Sequence, residues 1–121
     1  MNSLNSVLIE GNLTRQPVLT HTPNGASVCK FSIASNRFYK SNNENVQEVS
    51  FFEIEAWSRL AENCHERLDK GRGVRVVGRL KQERWETSEG NRSRIIIVAD
   101  HVDFKPLPKE AIKKQECPIN A

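Results

Sequence analysis

Residues 49–71 read VSFFEIEAWSRLAENCHERLDKG, and this stretch decides the architecture. Its first part alternates: Phe52, Ile54 and Ala56 fall on one side, and Val49, Phe51, Glu53, Glu55 and Trp57 on the other, the period of a strand. The period then changes. Leu60, Ala61, Cys64 and Leu68 recur at helical spacing, Ser58 offers a capping hydroxyl, and Gly71 stands where a helix commonly ends. The stretch therefore predicts a strand running directly into a helix of about three turns.

Strand signals lie on both sides of it. Upstream, Val7–Leu13 reads as a strand bent at Gly11, followed by an irregular stretch through Pro17 and a turn at Pro23-Asn24-Gly25. Val28, Cys29, Phe31 and Ile33 then alternate with Lys30 and Ser32, and Ser41–Asn45 reads as an exposed polar loop. Downstream, Val74–Trp85 and Arg92–Phe104 form two more strands around a turn or loop at Glu86–Asn91, and Pro106 and Pro108 end the pattern. Five strands with a helix between the third and fourth predict an all-β protein with one short helix, a five-stranded OB-fold barrel. A different small β-barrel accommodates the same pattern. The barrel domain is expected over 1–104, and 105–121 is expected to be a short basic tail that stays unfolded.

Composition bounds the function. A chain of 121 residues fits one domain, and 37% apolar with 27% charged residues is an ordinary globular balance. The longest apolar runs, Ile95–Ala99 and Val7–Ile9, fall far short of the roughly 18 residues that cross a bilayer. No secretion signal is visible, and Cys29, Cys64 and Cys117 form no Cys-x-x-Cys pair, so free thiols and a cytoplasmic location are expected. His21, His65 and His101 show no metal-ligand spacing, and no phosphate-cradling glycine loop or nucleophile motif occurs. No cofactor or metal is expected.

Charge is uneven. Residues 70–94 carry eight cations (Lys70, Arg72, Arg75, Arg79, Lys81, Arg84, Arg92 and Arg94) against Glu83, Glu86 and Glu89, a net of +5, although the whole chain is only +3. Both tryptophans sit among charges: Trp57 shares a strand face with two glutamates, and Trp85 lies between Arg84 and Glu86. Phe51 falls on the face of Trp57, and Phe38-Tyr39 is flanked by Arg37 and Lys40. Exposed rings interleaved with cations suit an unpaired polynucleotide, whose bases offer free π-faces beside a charged backbone. Phe31, Phe52 and Phe104 are assigned to the core. The near-continuous run Ile95–Ala99 predicts burial on both faces, read here as a hint of self-association.

These residues resemble the bacterial single-stranded DNA-binding protein family. The resemblance runs through Asn5–Leu13 with Pro17, Pro23-Asn24-Gly25, Ala34–Tyr39, Trp57–Glu62, Lys70-Gly71, Val76–Leu80 and Arg84-Trp85, in order, over roughly residues 3–104. It implies an OB-fold that binds single-stranded DNA without sequence preference, has no catalytic activity and assembles as a homotetramer in replication, recombination and repair. Position by position, it implies that Tyr39, Phe51, Trp57 and Trp85 stack bases and that Arg59, Lys70, Lys81 and Arg84 lie near the strand path. The charge pattern adds Arg37, Lys40, Arg79 and Arg94. Asn5–Glu10 resembles the strand that pairs between subunits, and Phe52 a position near subunit contacts.

The sequence departs from the family at three places. Glu53 and Glu83 stand where members often carry basic residues. The family's acidic tip, finishing in Pro-Phe, has no counterpart in Lys105–Ala121, whose four lysines outnumber Glu110 and Glu116 for a net of +2. Enzymes recruited through such a tip are therefore not expected partners. An alternative keeps the fold and makes the chain an accessory, primosome-type module acting through protein contacts. A nuclease would need clustered carboxylates; Glu53 and Glu55 alternate on one face but read as solvated charge.

Overall fold

The computed structural model describes residues 4–106. The elements are β1 (Val7–Leu13), β2 (Val18–His21), β3 (Ser27–Ser41), β4 (Glu44–Trp57), α1 (Ser58–Arg67), β5 (Gly73–Thr87) and β6 (Gly90–Phe104). In the order β1-β5-β6-β4-β3 each strand pairs with the next, and β3 returns to β1 at Asn12 and Leu13. Five strands thus close a barrel, with α1 between β4 and β5, as in the OB-fold. All pairings are antiparallel except β4 with β6, which run parallel at Ile54–Ile97 and Glu55–Val98.

Closure depends on two glycines. β1 lies on β5 from Val7 to Asn12 and reaches β3 only at Asn12 and Leu13, so it must bend at Gly11. A Cβ there would stand 2.5 Å from the Ala34 carbonyl oxygen, so a side chain would hold the strands apart. At Gly78 a Cβ would stand 2.1 Å from the Val98 carbonyl oxygen. Beside it the β5–β6 register shifts: Val77 faces His101 and Gly78 faces Ala99, leaving Asp100 as the extra residue of a bulge that bends the sheet.

Alternate residues fill the barrel, as the strand period requires. Cys29, Phe31 and Ile33 of β3 meet Ile54 and Ala56 of β4, Val74 and Val76 of β5, and Ile97, Ala99 and Val102 of β6, with Leu13 from β1. Helix α1 closes the barrel with Ala61 and Cys64, joined by Leu68 just beyond its end, and Leu60, Phe52 and Phe104 pack at the margin. Burial pushes the Cys29 thiol up to about 11 and the Cys64 thiol to about 12, so both stay protonated at neutral pH.

The structure differs from the sequence expectations at five points. A sixth strand, β2, pairs with β3 along Val18–His21, where no strand was expected, and the expected turn at Pro23-Asn24-Gly25 follows it. The predicted loop 41–45 shrinks to a two-residue turn, Asn42-Asn43, whose left-handed φ of 52° and 67° is tolerated by asparagine and matches the twist of a tight hairpin. At 86–91, read as a hairpin turn or loop, the chain closes as a turn between Thr87 and Gly90, so both hairpins are long. Ser58 does not cap α1: Trp57 holds that position without a side-chain bond, and Ser58 is the first helical residue, at φ 59°. The helix ends at Leu68 in extended backbone, and Gly71, at φ 90°, serves the turn into β5.

The fifth difference concerns the apolar run on β6. Ile96, Ile97, Val98 and Ala99 are all buried within one chain. Ile97 and Ala99 enter the core, while Ile96 and Val98 are partnered across the ladder by Lys81 and Arg79, side chains with long apolar stems. Burial on both faces therefore needs no second copy, and the run carries no argument for self-association. Only Ile95 is left out, 62% exposed.

Candidate nucleic-acid interface

The two long hairpins lie side by side because β4 adjoins β6. Strand alternation then sorts their residues onto two faces. On β4, Ile54 and Ala56 point inward, so Phe51, Glu53, Glu55 and Trp57 point outward. On β5, Val74 and Val76 point inward, so Arg79, Lys81, Glu83 and Trp85 share the outward face, opposite Val98, Ile96, Arg94 and Arg92 of β6. Six of the sequence-predicted site residues (Phe51, Trp57, Arg79, Lys81, Trp85 and Arg94) thus share the outward face of one continuous sheet. Phe51 is 68% exposed, Trp57 38% and Trp85 44%, so each ring keeps an open surface.

Of the other six, only Lys40 has the same strand parity, since Ala34 of β3 pairs with Phe51 and Asn36, Phe38 and Lys40 follow it on that side. Arg84 follows Gln82 on the opposite side of β5 and donates to Gln82 Oε1 from Nε at 3.1 Å and Nη2 at 2.8 Å. Arg37 and Tyr39 alternate with Phe38 and continue the inward-facing series of β3; the Arg37 guanidinium lies 4.7 Å from the Tyr39 ring centre and 3.7 Å from Glu48. Lys40 is at the β3–β4 tip, next to the Asn42-Asn43 turn. Arg59 follows Trp57 at the start of α1, and Lys70 sits in the turn after it, its backbone N–H donating to Gln16 Oε1 at 2.6 Å.

Carboxylates are interleaved with the outward cations. Arg94 bonds Glu83 at 2.9 Å and holds its guanidinium 5.9 Å from the Trp85 ring centre. Arg92 bonds Glu89 at 3.3 Å, and Glu53 is 3.8 Å from Arg15. Among the described residues, Arg79 and Lys81 have no carboxylate within 4.0 Å, so their charge is free to meet an anion.

One functional neighbour was misread from sequence. Glu55, expected to be solvated, is only 4% exposed, and its Oε1 accepts the Trp57 indole N–H at 2.7 Å. The pair is two residues apart on one strand face, a spacing visible in the sequence. The burial is not, because it depends on β3 and β6 flanking β4 at Lys30 and Val98. Among the described residues no group of three or more His, Cys, Asp or Glu is placed to hold a metal, and no helix is long and apolar enough to cross a membrane.

Comparison with known proteins agrees with this geometry. The family model of the single-strand binding protein family matches residues 4–105. The chain is 43% identical over 109 residues to the single-stranded DNA-binding protein of Aquifex aeolicus, covering 89% of this chain and 74% of that protein. It is 42% identical over 104 residues to that of Treponema pallidum, spanning 86% of this chain and 59% of the relative. Its fold matches a Plasmodium falciparum SSB solved in complex with ssDNA, with a TM-score of 0.81 at 24% identity over 88% of this chain and 98% of the other. A deletion mutant of the single-stranded DNA binding protein from Thermus aquaticus superposes with a TM-score of 0.77 at 25% identity, over 85% of this chain and 51% of that one. With the barrel, the order of its elements and the match along almost the whole described region in agreement, the chain belongs to the single-strand binding protein family.

Proposed function

We propose that the protein binds single-stranded DNA without sequence preference, stacking bases on Trp57, Trp85, Phe51 and Tyr39 while Lys and Arg side chains neutralise phosphates. The observation that carries this reading is the shared outward face: two half-exposed indoles with Arg79 and Lys81, which no carboxylate among the described residues approaches within 4.0 Å. Every base has a π-face, so rings supply affinity without reading sequence. The names of the relatives point the same way. Arg94 and Arg84 contribute after exchanging Glu83 and Gln82 for phosphate, and Arg37, Lys40, Arg59 and Lys70 extend the charged path. The protein acts as a binder and not as an enzyme, protecting unpaired strands in the cytoplasm during replication, recombination and repair.

Self-association to a homotetramer is part of the same proposal. Its support is the edge of β1: among the described residues this strand pairs from Val7 to Gly11 with β5 on one side only, and Leu8 within it is 70% exposed. An unpaired backbone edge of that kind is a template for a second copy. Residues 1–104 are taken as the binding domain and 105–121 as an appended basic tail; Lys105 is tied to the Gly73 carbonyl and to Glu10, and positions 107–121 lie outside the described residues.

The test is a titration with oligo(dT), followed by tryptophan fluorescence at two salt concentrations, with duplex as competitor and gel filtration alongside. Quenching that weakens with salt and resists duplex is expected. Unchanged fluorescence with equal competition by duplex refutes the proposal, and a species that does not shift on DNA favours an accessory, protein-binding role.

A further inference from the structure

We infer that Glu55 is a positioning residue for the Trp57 stacking platform, a role that rests on the proposed single-strand binding and adds a residue to it. An anionic side chain is out of place here: it lies on the face that is to receive phosphates, yet it is 4% exposed. Among the described residues no Lys, Arg or His lies within 4.0 Å of its carboxylate, although Lys30 of β3 is its cross-strand neighbour. Its one side-chain hydrogen-bond partner among the described residues is the Trp57 indole N–H, at 2.7 Å. That is a short, charge-assisted bond, the stronger class of side-chain contact.

The bond has a definite mechanical effect. Trp57 is the last residue of β4, and the chain behind it turns into α1 through Ser58 at a left-handed φ of 59°. A ring at such a corner has no following strand residue on its own face to pack against. Glu55, two residues back on that face, is held between Lys30 of β3 and Val98 of β6 in the ladder. It ties the N–H edge of the ring to the sheet while Trp57 stays 38% exposed. Trp85, by contrast, has the Arg94 guanidinium 5.9 Å from its ring centre, so the two platforms are oriented by different means.

Immobilising one side chain at an interface weakens affinity by about 2- to 10-fold, which a ring oriented in advance avoids. The experiment separates this role from charge and from folding. In the Trp85→Phe background Trp57 is the sole indole, so its time-resolved fluorescence anisotropy and its quenching by oligo(dT) report on that ring alone. Glu55→Gln keeps an acceptor oxygen without the charge, and Glu55→Leu removes both. The expected result is anisotropy and affinity within about twofold of the parent for Glu55→Gln. For Glu55→Leu, faster ring motion and an affinity lower by about 2- to 10-fold are expected. With Trp57→Phe, which keeps a ring but has no N–H, Glu55→Gln and Glu55→Leu are expected to bind alike, read by anisotropy of labelled oligo(dT). Equal ring motion and affinity for Glu55→Gln and Glu55→Leu overturn the inference, as does a difference that persists with Trp57→Phe. Should Glu55→Leu fail to fold, Glu55→Met supplies the acceptor-free variant, judged by the same outcomes. A parent that does not bind oligo(dT) refutes the function itself, whereas a parent that binds with no Glu55–Trp57 coupling refutes only the positioning role.

Discussion

Lys81→Ala is the sharpest probe of the outward face. Lys81 projects from β5 opposite Ile96, two residues from Arg79 on one side and from Glu83 on the other, and among the described residues no carboxylate pairs with it. When such a cation meets a phosphate, the condensed counterion it displaces is released in full, and for single strands log Kobs then changes by about −0.7 per decade of salt. Lys81→Ala is therefore expected to flatten the slope of log Kobs against log[NaCl] by about 0.7 for each Lys81 that contacts the strand. Between roughly 50 and 200 mM salt that flattening brings the variant about 2.6-fold closer to the parent. Arg94 provides the contrast, because Glu83 already holds it at 2.9 Å. Glu83→Gln releases Arg94 for phosphate, so tighter binding and a slope steeper by up to about 0.7 are expected. The assay is oligo(dT) titration by tryptophan quenching across a salt series, with Trp85 present in every protein. A Lys81→Ala variant weakened equally at all salts, or a Glu83→Gln variant with the parent's slope, would refute the assignment of free and engaged cations.

Other perturbations test other parts. Trp57→Ala and Trp85→Ala are each expected to weaken oligo(dT) binding by about 1–3 kcal/mol while changing duplex binding much less, measured by anisotropy of labelled strands. Gly78→Ala drives a Cβ to 2.1 Å from the Val98 carbonyl, a backbone atom that cannot swing aside, so a loss of about 1–3 kcal/mol or more is expected in urea denaturation. Glu10 accepts from Lys105 Nζ at 2.8 Å and from Arg75 Nη2 at 3.0 Å, and these bonds, Lys105's foremost, hold its carboxyl below the usual range. A depressed carboxyl contributes stability above its unfolded pKa and loses it as pH falls through the folded one. Glu10→Gln should therefore flatten the fall in stability below about pH 4.5, and an identical acid profile for parent and variant contradicts this.

Much of the barrel was legible because its core obeys the strand period. Phe31 and Ile54 each stand between polar neighbours, and the switch at Trp57 to helical spacing placed α1 in the right interval, whereas Ile97 lies between the buried Ile96 and Val98 in a run with no alternation. What failed lacked an apolar period. β2 has four residues, mostly exposed and paired only with β3, too short a stretch to show alternation. The hairpin tips project past the core, so the residues around Asn42-Asn43 and Ser88-Glu89 are polar on both faces and read as a loop and as a turn or loop. In the candidate site, nearness in sequence misled where the period did not. Arg84 and Trp85 are adjacent, as are Phe38 and Tyr39, and neighbours on a strand must face opposite ways. Alternation alone would have divided the ten candidates that lie on strands into two groups. Glu55 is a different case, because its burial depends on β6 lying parallel to β4, a non-local pairing that no local pattern encodes.

The distribution of charge on the outward face bears on what it can select. Glu53 and Glu83 each sit beside an arginine, and exposed pairs of that kind are weak, about 0–1 kcal/mol, so a phosphate can take Arg15 or Arg94 at small cost. Each exchange nevertheless leaves a carboxylate near the strand, which offsets part of the attraction it creates. Net electrostatic attraction then rests chiefly on Arg79 and Lys81, and it acts on a duplex as readily as on a single strand. The rings act differently. Phe51, Trp57 and Trp85 present π-surfaces that only an unstacked base can cover, and they lose nothing to salt. On the proposed function, preference for the unpaired strand therefore comes from the rings and their fixed orientation, while the interleaved acids keep charge from overriding it.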